Sequence, residues 1–522
     1  MEKQLKIRVA NTQYDIIKLV AKEIMGWELN DDPSSDDWDI CWQDYAVTID
    51  QFNNLKPLQK INHFPGMFAL ARKNKLALNL QQMKIFFENE YNFFPNTWLL
   101  PRDLYDLKNK GKNKTLIVKP EASSQGKGIF LTKSIEGLPE KCVVQEYISD
   151  PFLIENLKFD LRIYVLVLGC DPLRIYIYEE GLVRFATEEY IDPLNSIDKV
   201  CMHLTNYAIN KNNPKFITGN GDEGHKRSIS WLFGYLDDVG HNTEKLWNDI
   251  KDIVIKTLIS AHPYLSYIYR LSHPHDISNS MCFELLGFDI LVDSSLKPWL
   301  LEVNHTPSFK TDTPIDELVK RMVILDTFNL IGKPPNDNER NALLLHTKTM
   351  LKSLSFNEMK KWRKTEENRS QKLREKIEQE IEGGYQKIFP NDIGDYEKFI
   401  MGARRAWSKN HSSLKKSEKI VEEEKKPIKK KISFPKLKKA FFEPPKIKPI
   451  KLREMTPKPS VMTISFYKPA PKYSQASFYS IPKKKRAFSG NFVKPKMVEY
   501  EGEMAREESK GYMRMKIISY YL

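Results

Sequence analysis

The chain's 522 residues, enough for more than one domain, carry 82 Lys and Arg against 68 Asp and Glu, a formal net charge of +14 at pH 7. The five cysteines are odd in number and scattered without a Cys-x-x-Cys pair, which excludes a disulfide framework or zinc site and favours a reduced, cytoplasmic protein. No signal peptide and no apolar run near about 18 residues is evident, so we expect neither secretion nor a membrane span.

The N-terminal region, residues 1–95, mixes strand and helix patterns. Leu5–Val9 is typical of a strand, and Thr12 is the predicted N-cap of a helix that reaches Met25. A second strand is predicted near Asp39–Trp42. Because strands and helices stay mixed along the core, the predicted fold class is α/β, or α+β.

A glycine-bearing loop lies between two apolar runs in residues 115–131. The first run ends at Lys119, and the loop carries Gln125 and Gly126. Glycine lets backbone N–H groups approach phosphate oxygens, and lysine supplies positive charge. The order strand–loop–strand differs from the strand–loop–helix of a Walker loop. Since a hairpin turn of this composition is commonplace, the loop alone is a weak indication of phosphate binding.

The strand pattern of Leu157–Val167 separates charged from apolar side chains. Lys158, Asp160 and Arg162 share one face, whereas Phe159 and its alternate neighbours share the other. Such a strand projects three charged groups into one volume and suits a charged ligand, although a salt-bridged surface strand is an open alternative. Further strands are predicted at Cys142–Ile148, Arg174–Glu179 and Leu182–Phe185.

Two apolar runs near residue 300 bracket Asp293–Pro298 and predict a β-hairpin. The register of such a hairpin places Asp289 opposite Glu302, with Asn304 two residues along on the same face. Opposed carboxylates repel each other, so a fold that brings them together usually supplies a cation. An all-oxygen set with one amide suits Mg²⁺. The alternative is a solvated hairpin face with acidic residues there by chance.

Beyond residue 335 the chain first becomes helical and then basic. Asn341–Leu354 is apolar at helical spacing, and Asn357–Glu382 is a highly charged helix pattern that Gly383 and Gly384 end. Residues 408–500 hold 25 Lys and Arg against 7 Asp and Glu, whereas residues 1–407 carry a net charge of −4. We expect residues 408–522 to be a disordered tail that binds a polyanion: nucleic acid, anionic lipid or acidic protein.

Seven motifs occur in order: Lys119-Pro120, the Gln125–Gly128 loop, Gln145–Ile148, Lys158–Arg162, Gly181–Phe185, His203–Asn206 and Leu301–His305. Together they resemble the tubulin tyrosine ligase-like family, over about residues 6–333. That resemblance implies an ATP-grasp-like core with lobes at residues 1–95, 96–200 and 201–335. It also implies a helical, microtubule-binding extension at 336–407, before the basic Pro-rich tail at 408–522. Gln125 and Asn304–Phe309 are similar to the polyglutamylase branch more than to the glycylases.

The resemblance implies a role for individual residues. Those expected to bind ATP are Lys119, Gln125, Gly126, Gln145, Glu146, Tyr147, Ile148, Lys158, Phe159, Asp160, Thr205 and Asn206. Those expected to hold Mg²⁺ are Asp289, Glu302 and Asn304. The expected catalytic residues are Lys158, Arg162, Arg184 and His305, and the incoming glutamate is assigned to Arg184, Tyr207, Lys226 and His305.

Three of these residues have an alternative structural role. Tyr207 would otherwise be core packing, Lys226 a solvated loop lysine, and His305 a structural hydrogen-bonding group. His305 is a candidate base for the attacking ammonium because an unperturbed histidine has a pKa of about 6.5.

The implied activity is tubulin polyglutamylation dependent on ATP and Mg²⁺. A glutamate carboxylate on the acidic tail of tubulin would be activated as an acyl phosphate, and free L-glutamate would attack through its amine, with a preference for elongating side chains. We expect a monomer that is located in the cytoplasm and on the cytoskeleton, and also in the cilium or basal body. We expect no nucleic-acid or membrane partner. The alternatives are a glycylase, a catalytically silent microtubule-binding protein, and a small-molecule ligase of the glutathione synthetase kind.

Overall fold

The computed structural model describes residues 4–409 except 122–125, 192–197, 220, 275, 277–278, 333–344, 346–348, 351–354, 382 and 392–393. Three β-sheets combine with helices in this part of the chain, so the predicted α/β class is confirmed. A search of the described helices finds none long and apolar enough to cross a bilayer. Gln125, most of the predicted helix Asn341–Leu354 and residues 410–522 lie outside the described residues.

The N-terminal sheet has four parallel strands in the order β2–β1–β3–β4. The strands are β1 (Lys6–Asn11), β2 (Glu28–Asn30), β3 (Ile40–Gln43) and β4 (Lys60–Ile61). The helices here are α1 (Asp15–Leu19), which continues as a π-turn over Val20–Ile24, α2 (Ile49–Asn53), α3 (Phe68–Ala71) and α4 (Lys73–Phe86). The predicted N-cap was wrong: Tyr14 occupies the N-cap position of α1, without a side-chain capping hydrogen bond, and the Thr12 hydroxyl donates to Asp44 at 2.8 Å.

A second, small sheet has four antiparallel strands in the order β5–β8–β6–β7. The strands are β5 (Thr97–Leu99), β6 (Leu116–Pro120), β7 (Phe130–Thr132) and β8 (Cys142–Glu146), and α5 (Leu104–Lys110) follows β5. Side chains such as Trp98, Val118 and Val144 form a separate apolar cluster on one face of this sheet. On the other face Lys119 and Gln145 line a cleft.

The main sheet has seven strands, with β12–β11–β10–β13–β14 as its continuous path. Its strands are β9 (Leu153–Ile154), β10 (Leu157–Cys170), β11 (Leu173–Phe185), β12 (Lys226–Ser228), β13 (Glu284–Val292), β14 (Pro298–Asn304) and β15 (Tyr385–Phe389). The helices beside it are α6 (Val200–His203), α7 (Tyr207–Asn210), α8 (Ile229–Asp238), α9 (Thr243–Ser272) and α10 (Pro314–Ile331). All its strand pairs are antiparallel.

The alternation predicted for β10 is confirmed. Phe159, Leu161 and Ile163 lie in the apolar core that includes α9, whereas Tyr164 and Leu166 lie in the core shared by α10 and the N-terminal sheet. The central strand is therefore covered on both faces along most of its length. Only at its beginning does one face open, and there it carries charged side chains into the cleft.

Residues 383–409 complete the core instead of forming a separate extension. The predicted charged helix is present as α11 (Phe356–Glu380), and the chain bends at Gly383 and Gly384. Strand β15 then pairs with β11, and a helix α12 over residues 397–409 follows. The α12 residue Phe399 is buried against Phe87 and Tyr91, at ring-centroid distances of 4.9 and 5.7 Å. Glu378 joins α11 to the main sheet by accepting from Arg174 and Tyr176.

Candidate active site

A cleft of about 700 Å³ lies where the small sheet, the main sheet and α6–α7 meet. Strands β6 and β8 provide Lys119 and Gln145, and the open face of β10 provides Lys158, Asp160 and Arg162. Fifteen of the seventeen residues predicted to bind ATP, bind glutamate or act in catalysis line this single cleft: Lys119, Gly126, Gln145, Glu146, Tyr147, Ile148, Lys158, Asp160, Arg162, Arg184, Thr205, Asn206, Tyr207, Lys226 and His305. The three predicted metal ligands, Asp289, Glu302 and Asn304, line it as well.

Two buried lysines form the wall nearest the small sheet. Nζ of Lys119 donates to Oε1 of Gln145 at 2.7 Å. Nζ of Lys158 donates to the Tyr147 hydroxyl at 2.9 Å and to the carbonyl oxygen of His203 at 3.0 Å. Burial lowers the pKa of Lys119 to about 8 and that of Lys158 to about 7. A phosphate beside them would favour the protonated forms, because an opposite charge offsets the cost of desolvation.

Four charged residues from three neighbouring strands form what we term the arginine–aspartate cluster: Asp160, Arg162, Arg184 and Asp289. Arg184 donates to Asp160 from Nε at 2.7 Å and from Nη2 at 2.6 Å. Arg162 donates to Asp289 from Nε at 2.7 Å and from Nη2 at 3.2 Å. Burial alone would raise the pKa of Asp289, but the two arginines hold it well below its ordinary value. Nη2 of Arg184 also lies 2.9 Å from Oδ2 of Asp289, so Arg184 is a cleft residue already engaged by two carboxylates.

The hairpin β13–β14 brings Asp289 and Glu302 into direct register, as predicted. The predicted register does not hold as far as the turn, because Ile290 pairs with Leu300 and the bulge leaves Leu301 as the extra residue. Nδ2 of Asn304 lies 3.2 Å from Oε1 of Glu302 and 3.5 Å from Oδ2 of Asp289. The three side chains thus converge.

This donor set fits a divalent cation. Burial, and then the charge of Asp289, raise the pKa of Glu302, so a cation between the two carboxylates would favour ionisation of Glu302. Two carboxylates with one amide are the ligands that Mg²⁺ accepts alongside phosphate oxygens. No group of three His, Cys, Asp or Glu that suits a metal is found among the described residues, and the third member of this set is the amide of Asn304.

The far end of the cleft is basic. Nζ of Lys226 lies 2.5 Å from Oδ2 of Asp316 and 3.4 Å from the centroid of the Tyr207 ring. Lys320, one turn along α10, also contacts Asp316, at 2.8 Å. Both lysines are buried, so the alternative of a solvated loop lysine is wrong for Lys226. Tyr207 lies against this lysine and lines the cleft.

His305 follows β14 and stacks edge-on against Phe68 at a centroid distance of 5.0 Å. Burial, with positive charge from His63 and Arg72 nearby, lowers its pKa to about 4. His305 is therefore neutral near pH 7, but it is a weaker base than the unperturbed histidine that the sequence argument assumed.

One predicted ATP contact is wrong in its position. Phe159 is on the opposite face of β10 from the cleft, 5.4 Å from the ring of Phe185 and 6.3 Å from that of Phe152. Its side chain is fully buried in the main core. The alternation of β10 had already placed Phe159 on that face. Gln125, also assigned to ATP, lies outside the described residues.

The structure adds cleft residues that sequence reasoning missed. They are Arg72 and Lys73 at the start of α4, and Lys310, Asp316 and Lys320 around the start of α10. Only one of these positions carried a local signal, since Thr313 and Pro314 mark the beginning of a helix whose first turn holds Asp316. The others reach the cleft through tertiary packing alone.

A comparison with protein families matches residues 52–341, more than half of the chain, to the tubulin-tyrosine ligase family. The chain belongs to this family. Every predicted site residue of this family member falls within the matched range, as do β5–β14 and α3–α10.

Curated relatives of this tubulin-tyrosine ligase family member are similar over about three quarters of the chain. A probable beta-tubulin polyglutamylase from Tetrahymena thermophila is 48% identical over 412 residues, 76% of this chain and 34% of that protein. A tubulin polyglutamylase from Danio rerio is 42% identical over 80% of this chain and 54% of its own length. One from Homo sapiens is 43% identical over 76% of this chain and 45% of its own length. The chain thus spans about half the length of these relatives, or less.

Proposed function

We propose that the chain is an ATP- and Mg²⁺-dependent ligase that attaches free L-glutamate to a glutamate side chain on an acidic tubulin tail, and that it elongates such chains. The observation that carries the proposal is the convergence in one cleft of two buried lysines, a carboxylate pair with an amide, and the arginine–aspartate cluster. The names of the relatives, which are tubulin polyglutamylases, support the choice of substrate.

In this proposal the cleft is an ATP-grasp site between two sheets. Lys119 and Lys158 bind nucleotide phosphates, and the chain from Gln145 to Ile148 borders the base. Asp289, Glu302 and Asn304 would hold Mg²⁺, which when bound neutralises charge on the β- and γ-phosphates. The contribution of the protein is positioning and charge compensation in a site that excludes water.

The chemistry joins a carboxylate to an amine. The terminal phosphoryl group of ATP passes to the acceptor carboxylate and ADP is released. The glutamate amine, after losing a proton to solvent, attacks the carbonyl carbon of the acyl phosphate. The C–N bond forms as the C–O bond to phosphate breaks, and the remaining ammonium proton leaves with the departing phosphate or to solvent. Arg184 offers a planar fork for a carboxylate of the incoming glutamate. His305, neutral near pH 7 because its pKa is about 4, can accept a hydrogen bond from the ammonium group but is too weak a base to retain its proton.

The charge distribution suits an acidic protein partner. Residues 408–500 carry 25 Lys and Arg against 7 Asp and Glu, and the tubulin tail is the polyanion that this proposal selects. Such binding weakens as salt is added. We place the protein, as a monomer, with microtubules in the cytoplasm, and the cilium or basal body is included in that proposal.

The test incubates purified protein with stabilised microtubules, Mg-ATP and either labelled glutamate or labelled glycine. Glutamate incorporation is expected, and Glu302→Gln should abolish it by removing one charge from the metal set. The matched control is Glu317→Gln, because Glu317 is exposed on α10 outside the cleft and its loss leaves every proposed contact in place.

Each outcome is decisive for one interpretation. Glycine incorporation in place of glutamate would identify a glycylase. Microtubule binding without incorporation of either label would support a catalytically silent binding protein. Glutamate incorporation that survives in Glu302→Gln would remove the hairpin from the proposed mechanism.

A further inference from the structure

Arg184 has two donor edges, and they are used differently. The Nε–Nη2 edge is fully taken by the two oxygens of Asp160, at 2.7 and 2.6 Å. Nη2 also lies 2.9 Å from Oδ2 of Asp289, so the second edge, formed by Nη1 and Nη2, is half engaged. Within the part of the chain that the structure describes, no hydrogen bond donated by Nη1 is found. A guanidinium group binds a carboxylate best through two parallel donors.

Asp289 is shared between the arginines and the candidate cation set. Its Oδ1 accepts from Nε of Arg162 at 2.7 Å. Its Oδ2 accepts from Nη2 of Arg162 at 3.2 Å and contacts Nη2 of Arg184, and Nδ2 of Asn304 lies 3.5 Å from the same oxygen. A carboxylate oxygen has about two lone-pair sites, and both at Oδ2 are therefore in use. To turn this oxygen to a cation, Asp289 would have to give up an arginine donor, and the guanidinium group that supplied it would then be repelled.

We propose that Asp289 couples the binding of Mg-nucleotide to the binding of the incoming amino acid. When Oδ2 of Asp289 turns to a cation, Arg184 loses that contact, and its Nη1–Nη2 edge becomes available for a substrate carboxylate. Asp160 keeps the other edge and acts as a positioning residue that aims Arg184 into the cleft. The inference rests on the proposed function, since glutamate is taken as the ligand of Arg184.

A coupling of this kind is reciprocal. If Mg-nucleotide tightens glutamate binding by some factor, glutamate tightens Mg-nucleotide binding by the same factor. Arg162 retains its contact with Oδ1 of Asp289 throughout, which keeps the metal carboxylate anchored while Arg184 changes partner. The site thus favours a filled state in which both ligands are present over either ligand alone.

The test measures binding by titration calorimetry on the full chain. L-Glutamate is titrated into protein that holds a non-hydrolysable ATP analogue, once with Mg²⁺ and once with EDTA. The dissociation constant for glutamate should be at least about tenfold lower with Mg²⁺, or about 1.4 kcal/mol. The reverse titration of Mg²⁺ into protein that holds the analogue, with and without glutamate, should give the same factor. Equal dissociation constants in the two glutamate titrations would overturn the coupling.

A variant separates this coupling from a general closure of the cleft. Asp289→Asn removes the charge that holds Nη2 of Arg184, so glutamate should bind without Mg²⁺ about as tightly as it binds the wild type with Mg²⁺. The surface control Asp249→Asn, on α9, should retain the tenfold effect. If Asp289→Asn keeps that effect, the coupling does not run through Asp289. Should the variant fail to fold in a thermal melt, equal dissociation constants in the two wild-type glutamate titrations would still overturn the coupling.

Failure of the proposed function gives a different result from failure of the coupling. Glutamate that binds equally with Mg²⁺ and with EDTA leaves the ligase proposal intact and refutes the coupling. If only glycine binds, the glutamate assignment is wrong, and the same pair of titrations with glycine decides the coupling. If no amino acid binds in either arm, both proposals fail.

Discussion

Nucleotide affinity should fall as the pH rises from 6 to 8, and the two buried lysines set the size of the fall. With a pKa of about 7, Lys158 is about nine-tenths protonated at pH 6 and about one-tenth at pH 8. With a pKa of about 8, Lys119 goes from nearly full protonation to about one-half. Bound phosphate raises both pKa values, so the expected loss of affinity is about tenfold from Lys158 and about twofold from Lys119.

The combined effect is about twentyfold, or about 1.8 kcal/mol. Calorimetry with Mg²⁺ and a non-hydrolysable ATP analogue, in buffers of different ionisation enthalpy, should also detect the uptake of about 1.4 protons at pH 8. The terminal phosphate of the analogue gains negative charge as the pH rises, which strengthens its binding. The measured fall in affinity is therefore a lower bound on the fall that the lysines cause.

Two variants locate the effect. Lys158→Met carries no titrating group and should retain only the twofold dependence that comes from Lys119, at lower affinity overall. Lys245→Met changes an exposed lysine on α9 and should keep the full dependence. A Lys158→Met variant with the same pH dependence as the wild type would refute the reasoning.

Two further substitutions test the cleft wall and the core. Gly126→Ala should weaken binding of the ATP analogue severalfold, because a Cβ there would lie 2.5 Å from Cδ1 of Ile209. Its control is Gly137→Ala: Gly137 has a similar positive φ, but a Cβ added there would meet nothing within 4 Å. If the two variants bind the analogue equally well, the steric argument is contradicted. Phe399→Ala should lower the free energy of unfolding by about 3–5 kcal/mol, whereas Met401→Ala, exposed on the same helix, should change it little. Urea unfolding measures both, and equal losses would mean that α12 is not part of the core.

Local patterns predicted the strands and the charged face of the cleft well. The two-residue repeat of β10 separated Lys158, Asp160 and Arg162 from the apolar face, and hairpin symmetry paired Asp289 with Glu302. Both are short-range features, since each depends only on pleat geometry and a nearby turn. The bulge at Leu301 left no comparable signal, because a single extra residue does not disturb an apolar run.

What the sequence did not predict depends on contacts between distant segments. Asp316 and Lys320 face the cleft because α10 packs against the main sheet, and no repeat along α10 marks that side. The engagement of Arg184 by two carboxylates also needs three strands in register, so the sequence indicated an arginine clamp but not its partners. Phe159 was misassigned because a motif was transferred whole, although successive residues of a strand point to opposite faces and cannot both line the same cleft.

The position of β15 limits how the protein can be shortened. The family match ends at residue 341, yet Tyr385–Phe389 of β15 supplies the outer partner of Ile175–Tyr178 in β11. A fragment that stops at the family boundary would leave that stretch of backbone N–H and C=O groups without a neighbour, and unpaired strand edges recruit strands from other molecules. Such a fragment would tend to aggregate when expressed, whereas one that continues to residue 409 retains its own edge strand.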